Sequence, residues 1–315
     1  YIFVLLYFSL LFTGYGDIFV RATLLSGIDF MKNSTAQDMY SSANQNSSVQ
    51  NQWERTLSLH HKKPDSSYNI VVYLTPHADD EVLTFGIPIL NDLANHKQVY
   101  VLLMSAGQES GARDVINGHY DGDSSDPTKK GDWKWCEMHD RFHFPRLEGY
   151  RPLTPKAFGR ERIREFYRST QALQVPKDHI YVYEISKNER QYQEMTRVIK
   201  QWASFFPNAT FKTMSKRDVQ SDHSMLGRVL NDLYHQNIIK YKVHYVSIAT
   251  RFKYGYHQSP KLFLQQQEDQ KHLYRAIDVY KSWNPQNRQF AIGYHSVPGQ
   301  FRFLQEQLSS IPFSE

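Results

Sequence analysis

The sequence has a single cysteine among its 315 residues, so no intrachain disulfide can form. No metal site of the usual two- or four-cysteine kind can be built either. Any metal is therefore expected to be held by histidine and carboxylate, and Cys136, next to Trp135, reads as a packing residue. The apolar stretch Tyr1–Thr13 falls short of the ~20 residues a membrane-spanning helix needs and suits the core of a signal peptide better. No phosphate-binding P-loop and no dinucleotide glycine fingerprint follow the first apolar run, and His-Glu-x-x-His is absent. Gly107-Gln108-Glu109-Ser110-Gly111 is not the nucleophile elbow of a serine hydrolase. The net charge of +5 invites a nucleic-acid reading, but Lys and Arg are scattered. The densest runs are His60-His61-Lys62-Lys63 and Lys129-Lys130, so no nucleic-acid partner is expected.

What is present divides the chain into three parts. Residues 1–30 read as a signal peptide or membrane anchor with a truncated start, which would place the rest outside the cytoplasm or in a secretory lumen, with possible membrane association through the N-terminus. Residues 31–66, rich in Ser, Asn and Gln, read as a disordered polar linker carrying two of three N-glycosylation sequons (Asn33, Asn46; the third is Asn208). Residues 67–315 hold the apolar periodicity of one large domain.

In that domain strand and helix patterns alternate. Strands are predicted at 70–74, 99–104, 180–183, 210–213 and 243–249, and helices at 82–94, 160–173, 190–205, 224–234 and 262–281. The alternation predicts an α/β fold, a Rossmann-like three-layer sandwich with a mainly parallel sheet and helices on both faces. Residues 108–157 show no periodicity and read as a long loop whose aromatics (Trp133, Trp135, Phe142, Phe144, Tyr150) either stack on sugar rings or form a small core of their own. Asp121-Gly122-Asp123 within it reads as a polar turn rather than a calcium loop.

Pro76-His77-Ala78-Asp79-Asp80-Glu81 follows the first strand and opens a helix, the edge at which open α/β sheets bind ligands. His77 and Asp80 are close enough along the chain to reach one cation, leaving Asp79 free as a base beside a metal-bound water. Alternatively, Asp79, Asp80 and Glu81 only start the helix and complement its dipole. A third ligand is available in Gln220-Ser221-Asp222-His223, which also follows a strand and opens a helix. Arg113, just past the second strand, could bind a substrate hydroxyl or phosphate, or serve in an ion pair; Glu81 could orient a ligand histidine or cap the helix.

These residues resemble the LmbE/PIG-L family of zinc-dependent de-N-acetylases. His77-Ala78-Asp79-Asp80-Glu81 matches a His-Pro-Asp-Asp-Glu motif, and Gln220-Ser221-Asp222-His223 matches part of a His-Pro-Asp-His motif. The stretch Arg162–Glu165 through Ala172-Leu173-Gln174-Val175 is similar to a family helix that ends in a Leu-Gly-Val turn. The resemblance implies one catalytic Zn2+ held by His77, Asp80 and His223, with Asp79 as general base. The implied substrate is a small molecule or glycan carrying an N-acyl group, such as an N-acetylglucosamine unit. Zinc lowers the pKa of its water toward ~7 and polarises the amide carbonyl.

Two positions depart from the pattern. Ala78 replaces proline, and Gln220 replaces a histidine that stabilises the oxyanion or protonates the leaving group; glutamine donates a hydrogen bond but carries no charge. His139, His143, His257 or His295 could fill the role, or Asp79 could make both proton transfers. Gln220 also leaves room for a non-catalytic carbohydrate-binding protein on a degenerate deacetylase scaffold, and the N-acyl substrate could be a lipid or antibiotic instead of a sugar. The sequence does not address oligomeric state.

Overall fold

The computed structural model describes residues 69–255 and 259–313. The segments read as an N-terminal signal peptide or anchor and as a linker, together with His257, therefore lie outside the described residues. Among the described residues, no helix is long and apolar enough to cross a membrane.

Strand β1 (Ile70–Thr75) is buried along its whole length, as its β-branched run requires. It pairs in parallel with β2 (Gln98–Leu103) on one side and β6 (Thr210–Met214) on the other. Beyond β2 lies β5 (Ile180–Val182); beyond β6 lies β7 (Tyr241–Tyr245), also parallel. β10 (Pro312–Phe313) closes that edge antiparallel to β7, giving the order β10-β7-β6-β1-β2-β5. The chain runs outward from β1 to β5, then crosses back to β6. The direction of winding therefore reverses at the β1/β6 boundary, the crevice where ligands bind in open sheets.

Side chains of β1 and β2 alternate between two cores. Val71, Tyr73, Val99 and Val101 pack with residues of α2 (Gly86–Ala94), α4 (Pro155–Ala172) and α8 (Gln270–Lys281), including Ile89, Phe166 and Leu273. On the opposite face Tyr100 meets Trp202 and Phe206, at the end of α5 (Gln191–Phe205), with ring centroids 5.4 and 5.3 Å away. The three-layer α/β sandwich is as the alternation predicted. A buried polar trio also spans the layers: Tyr73 Oη and Lys212 Nζ each donate to Asp92 Oδ2 at 2.6 Å.

Several elements differ from the sequence pattern. The helix predicted at 82–94 is two helices, α1 (Asp80–Leu83) and α2. Pro88 has no N–H to bond the carbonyl of Thr84, which accepts instead from Ser310 Oγ at 2.9 Å. The segment 108–157 is not structureless. It contains α3 (Ala112–Asn117) and a small hairpin, β3 (Trp135–Cys136) with β4 (Arg141–Phe142). Tyr150 is buried in a small core with Ile116, Phe158 and Phe290, whereas Trp133, Trp135 and Phe144 are exposed and Trp133 packs on Phe144.

The strand predicted to 249 ends at Tyr245, where Ser247 caps α7 (Ile248–Tyr254) by accepting from Thr250 N at 3.2 Å. The helix predicted from 262 begins only at Gln270. A further hairpin follows, β8 (Trp283–Asn284) with β9 (Gln289–Phe290), and then α9 (Ile292–Ser296) and α10 (Pro298–Gln307).

Candidate active site

His77 leaves the carboxyl end of β1, and His223 lies in the first turn of α6 (Ser221–His235), just after β6. The β1/β6 boundary thus brings the two turns together. His77 Nδ1 stands 3.2 Å from His223 Nε2 and 3.6 Å from Asp80 Oδ2, and His223 Nε2 stands 3.3 Å from that same oxygen. Atoms bound ~2.0–2.1 Å from a tetrahedral zinc stand about 3.3–3.4 Å from one another, so this triangle has the size of one face of such a shell. Two imidazoles and a carboxylate are also the donor types that zinc takes.

The surroundings favour positive charge at this point. His77 Nε2 lies 3.1 Å from Asp222 Oδ2, and His223 Nδ1 lies 3.3 Å from Asp218 Oδ1. Burial works against charge on His223, but Asp80 and Asp218 override it and push its pKa up to about 10. His77 is likewise raised by Asp222 and Asp80 against the effect of burial. Burial pushes Asp80 up, yet His223 and His77 hold it well below the usual carboxylate range. A well of this kind takes either imidazole protons or a divalent cation.

Asp79 sits beside the triangle with φ 111°, a left-handed conformation that non-glycine residues rarely adopt. Two clasps hold it there. Its N–H donates to Glu81 Oε2 at 2.9 Å, and Glu81 Oε1 accepts from the hydroxyls of Ser169 and Tyr280. Glu81 therefore orients the backbone of Asp79, rather than a histidine or the helix end. The second clasp is Arg162 on α4, whose guanidinium donates to Ala78 O at 2.7 Å and Gly107 O at 3.0 Å and reaches Asp79 Oδ2 at 3.4 Å. Burial lifts the Asp79 carboxyl to about 7, against the pull of Arg162.

A cleft of about 460 Å³ opens over these groups, and its walls include Ser105, Gln108, Glu109, Lys187, Gln220 and Gln300. His77, Asp79, Asp80, Asp222 and His223 all line it, as does Gln220 at the entrance to α6. Arg113 does not line the cleft. It is buried away from it, donating to Asp121 at 2.6 and 2.8 Å and to Leu153 O at 3.1 Å, and serves as the ion-pair anchor of segment 108–157.

His139, His143 and His295 do not line the cleft either. They gather instead around Cys136. Burial holds His139 and His295 neutral down to about 4 and 3, which removes them as cationic partners for an oxyanion. Cys136 is fully buried, and its Sγ lies 3.5 Å from His139 Nδ1.

Arg162 was not singled out as a site residue from the sequence. Its signal was available, because Phe158, Arg162, Phe166 and Ser169 share the buried stripe of α4, where an arginine needs a buried acceptor.

Comparison with known proteins bears on this arrangement. The family model described as PIG-L, GlcNAc-PI de-N-acetylase, matches residues 72–234, more than half of the chain. The chain belongs to the PIG-L family. The match runs from β1 into α6 and so includes both turns of the site. No curated protein matches the sequence. Among solved structures, a deacetylase triple mutant of the teicoplanin biosynthetic pathway is similar, with TM-score 0.50 and 13% identity over 77% of this chain and 96% of that one. The A40926 pseudoaglycone deacetylase Dbv21 gives TM-score 0.49 at 13% identity over 78% and 96%. The N,N'-diacetylchitobiose deacetylase from Pyrococcus horikoshii gives 0.45 at 11% over 81% and 88%. At 13% identity the likeness to the first of these is one of fold alone.

Proposed function

We propose that this PIG-L family member is a zinc-dependent hydrolase that removes an acetyl group from the amine of an N-acetylated sugar or glycoconjugate. The observation that carries the reading is the triangle of His77 Nδ1, Asp80 Oδ2 and His223 Nε2 with Asp79 at its side. Those three residues would hold the ion, which when bound supplies Lewis acidity toward an amide carbonyl and makes water acidic. Asp79, fixed by Glu81 and Arg162, takes a proton from the attacking water and returns it to the departing amine. Gln220, on the cleft wall, donates a neutral hydrogen bond to the carbonyl oxygen as charge develops there. Asp222 and Asp218 fix the ring orientations of His77 and His223. The polar walls of the cleft favour a polyhydroxylated substrate over a lipid acyl chain. By the same sequence reading, the catalytic domain works outside the cytoplasm.

The test combines metal analysis with acetate release from N-acetylglucosamine conjugates. His77→Ala and His223→Ala are expected to lose the ion bound there together with activity. Asp79→Asn is expected to keep the ion and lose turnover by ~10²–10⁴-fold. Zinc content unchanged in both histidine variants would overturn the assignment. Tight glycan binding without deacetylation by the zinc-loaded protein would point instead to a carbohydrate-binding role, the reading that Gln220 in place of histidine leaves open.

A further inference from the structure

The Cys136–His139–His143–His295 cluster does not line the cleft and gathers four side chains of metal-ligating type. The β3–β4 hairpin supplies three members at Cys-x-x-His-x-x-x-His spacing, and α9 supplies the fourth. One donor atom from each lies within 4.8 Å of the others. Cys136 Sγ stands 3.5 Å from His139 Nδ1, and that nitrogen stands 3.1 Å from His143 Nε2. Around a tetrahedral zinc with ~2.3 Å bonds to sulfur and ~2.05 Å bonds to nitrogen, the corresponding edges are about 3.6 and 3.3 Å.

The outer partners fix the ring tautomers. His143 Nδ1 faces both oxygens of Glu148 at 3.1 Å, and His295 Nδ1 faces the carbonyls of Phe290 and Ala291 at 2.9 Å. A carboxylate and carbonyls only accept, so both Nδ1 atoms carry the proton and both Nε2 atoms turn lone pairs inward. His295 is 92% buried, being 8% exposed, and its Nε2 has no hydrogen-bond partner, an unsatisfied acceptor aimed into the cluster. The sulfur accepts from His139 N at 3.4 Å, as ligand thiolates do. Trp283 closes the site with an apolar wall, its ring centroid 4.5, 4.9 and 5.2 Å from those of His143, His139 and His295.

We propose that these four side chains bind a second zinc ion, a structural one. Four protein ligands leave no open position, as in structural rather than catalytic zinc sites. Binding releases one proton, from the Cys136 thiol to solvent, while the three imidazoles enter neutral. The ion ties segment 108–157 to α9, where Ser296 and Val297, the two residues after His295, line the cleft. His295 falls outside the matched span 72–234, so the site joins the family core to the part of the chain that follows it. It stands independently of the function proposed above.

The test uses the full-length protein loaded with Co2+ alone, together with metal analysis of the protein as purified. Two ions per chain and a thiolate-to-cobalt charge-transfer band are expected. His77→Ala/His223→Ala should keep the band and one ion; Cys136→Ser should lose the band and keep the other ion. A wild-type chain with no thiolate band at saturating Co2+ would sink the proposal, and that reading needs no variant to fold. A native ion other than zinc retained in His77→Ala/His223→Ala would overturn the assignment to zinc. A wild-type chain that shows the thiolate band but binds only that one ion would count against the deacetylase reading only.

Discussion

Asp79 Oδ2 and Arg162 Nη2 stand 3.4 Å apart, and the same nitrogen donates to the carbonyl of Ala78 at 2.7 Å. One guanidinium thus fixes both Asp79 and the residue before it. Lysine offers a single ammonium and cannot span Ala78 O, Gly107 O and Asp79 together. Arg162→Lys is expected to lower kcat by ~10²-fold while metal content stays unchanged, as for a misplaced reacting group. Steady-state kinetics with metal analysis checks this, and an unaffected kcat would rule Arg162 out as a positioning residue.

Gly227 lies one turn after His223 on α6. A Cβ there would meet Lys216 N at 2.5 Å and Met214 O at 2.7 Å, both backbone atoms at the end of β6. Neither can yield, so Gly227→Ala must push α6 and His223 away from His77. The expected outcome is a loss of ~1–3 kcal/mol in stability and weaker metal retention at the cleft. Denaturation midpoints and equilibrium dialysis measure the two effects.

Lys212 and Asp92 are an interior ion pair at 2.6 Å, their side chains only 9% and 8% exposed. Removing one partner leaves the other charge buried. Because Lys97 Nζ still stands 3.0 Å from Asp92 Oδ1, Lys212→Met should cost less than the ~3–5 kcal/mol of an unpaired buried charge, and Lys212→Met/Asp92→Asn less than the sum of the single changes. Additive losses in a double-mutant cycle would show that the pair is not coupled.

Glu165 is buried and accepts from the backbone N–H groups of Ile292 and Phe290, and burial pushes its pKa from the ordinary 4.5 to about 8. Between those values the folded chain keeps a proton that the unfolded chain has released. Its contribution to stability is therefore full below about 4.5 and is lost as pH rises to about 8. Glu165→Gln cannot titrate, so its stability relative to wild type should improve across that window. A pH-independent difference in denaturation free energy would refute this.

Gln174 ends α4 with φ 68°, in the place where a glycine usually closes a helix, and its side chain is exposed. Gln174→Gly should relieve the left-handed strain and stabilise the fold by about 0.5–1 kcal/mol, visible as a raised Tm.

The sheet was legible because β1 and β2 are apolar runs bounded by turn residues, and the triangle because its residues lie in turns that follow predicted strands. Arg162 was not, since its partners Ala78 and Asp79 are 84 and 83 residues away in sequence. The 135–142 hairpin escaped for a different reason. Each of its strands is two residues long, too short to show a period of two, and long-range partners hold it instead of its own pattern. Cys136 read as packing because the fourth member of its cluster, His295, lies 159 positions away in sequence and only the fold brings it alongside His139 and His143. The break in the 82–94 helix was readable at Pro88, but the hydroxyl of Ser310 that satisfies Thr84 O was not.

The two histidines of the cleft are separated by 146 residues. During synthesis the first emerges with β1 and must wait until β2, β5 and the crossover to β6 have been made before its partner exists. The triangle thus assembles only after four of the six strands exist, with β7 and β10 still to come, and a chain cut short before α6 cannot form it.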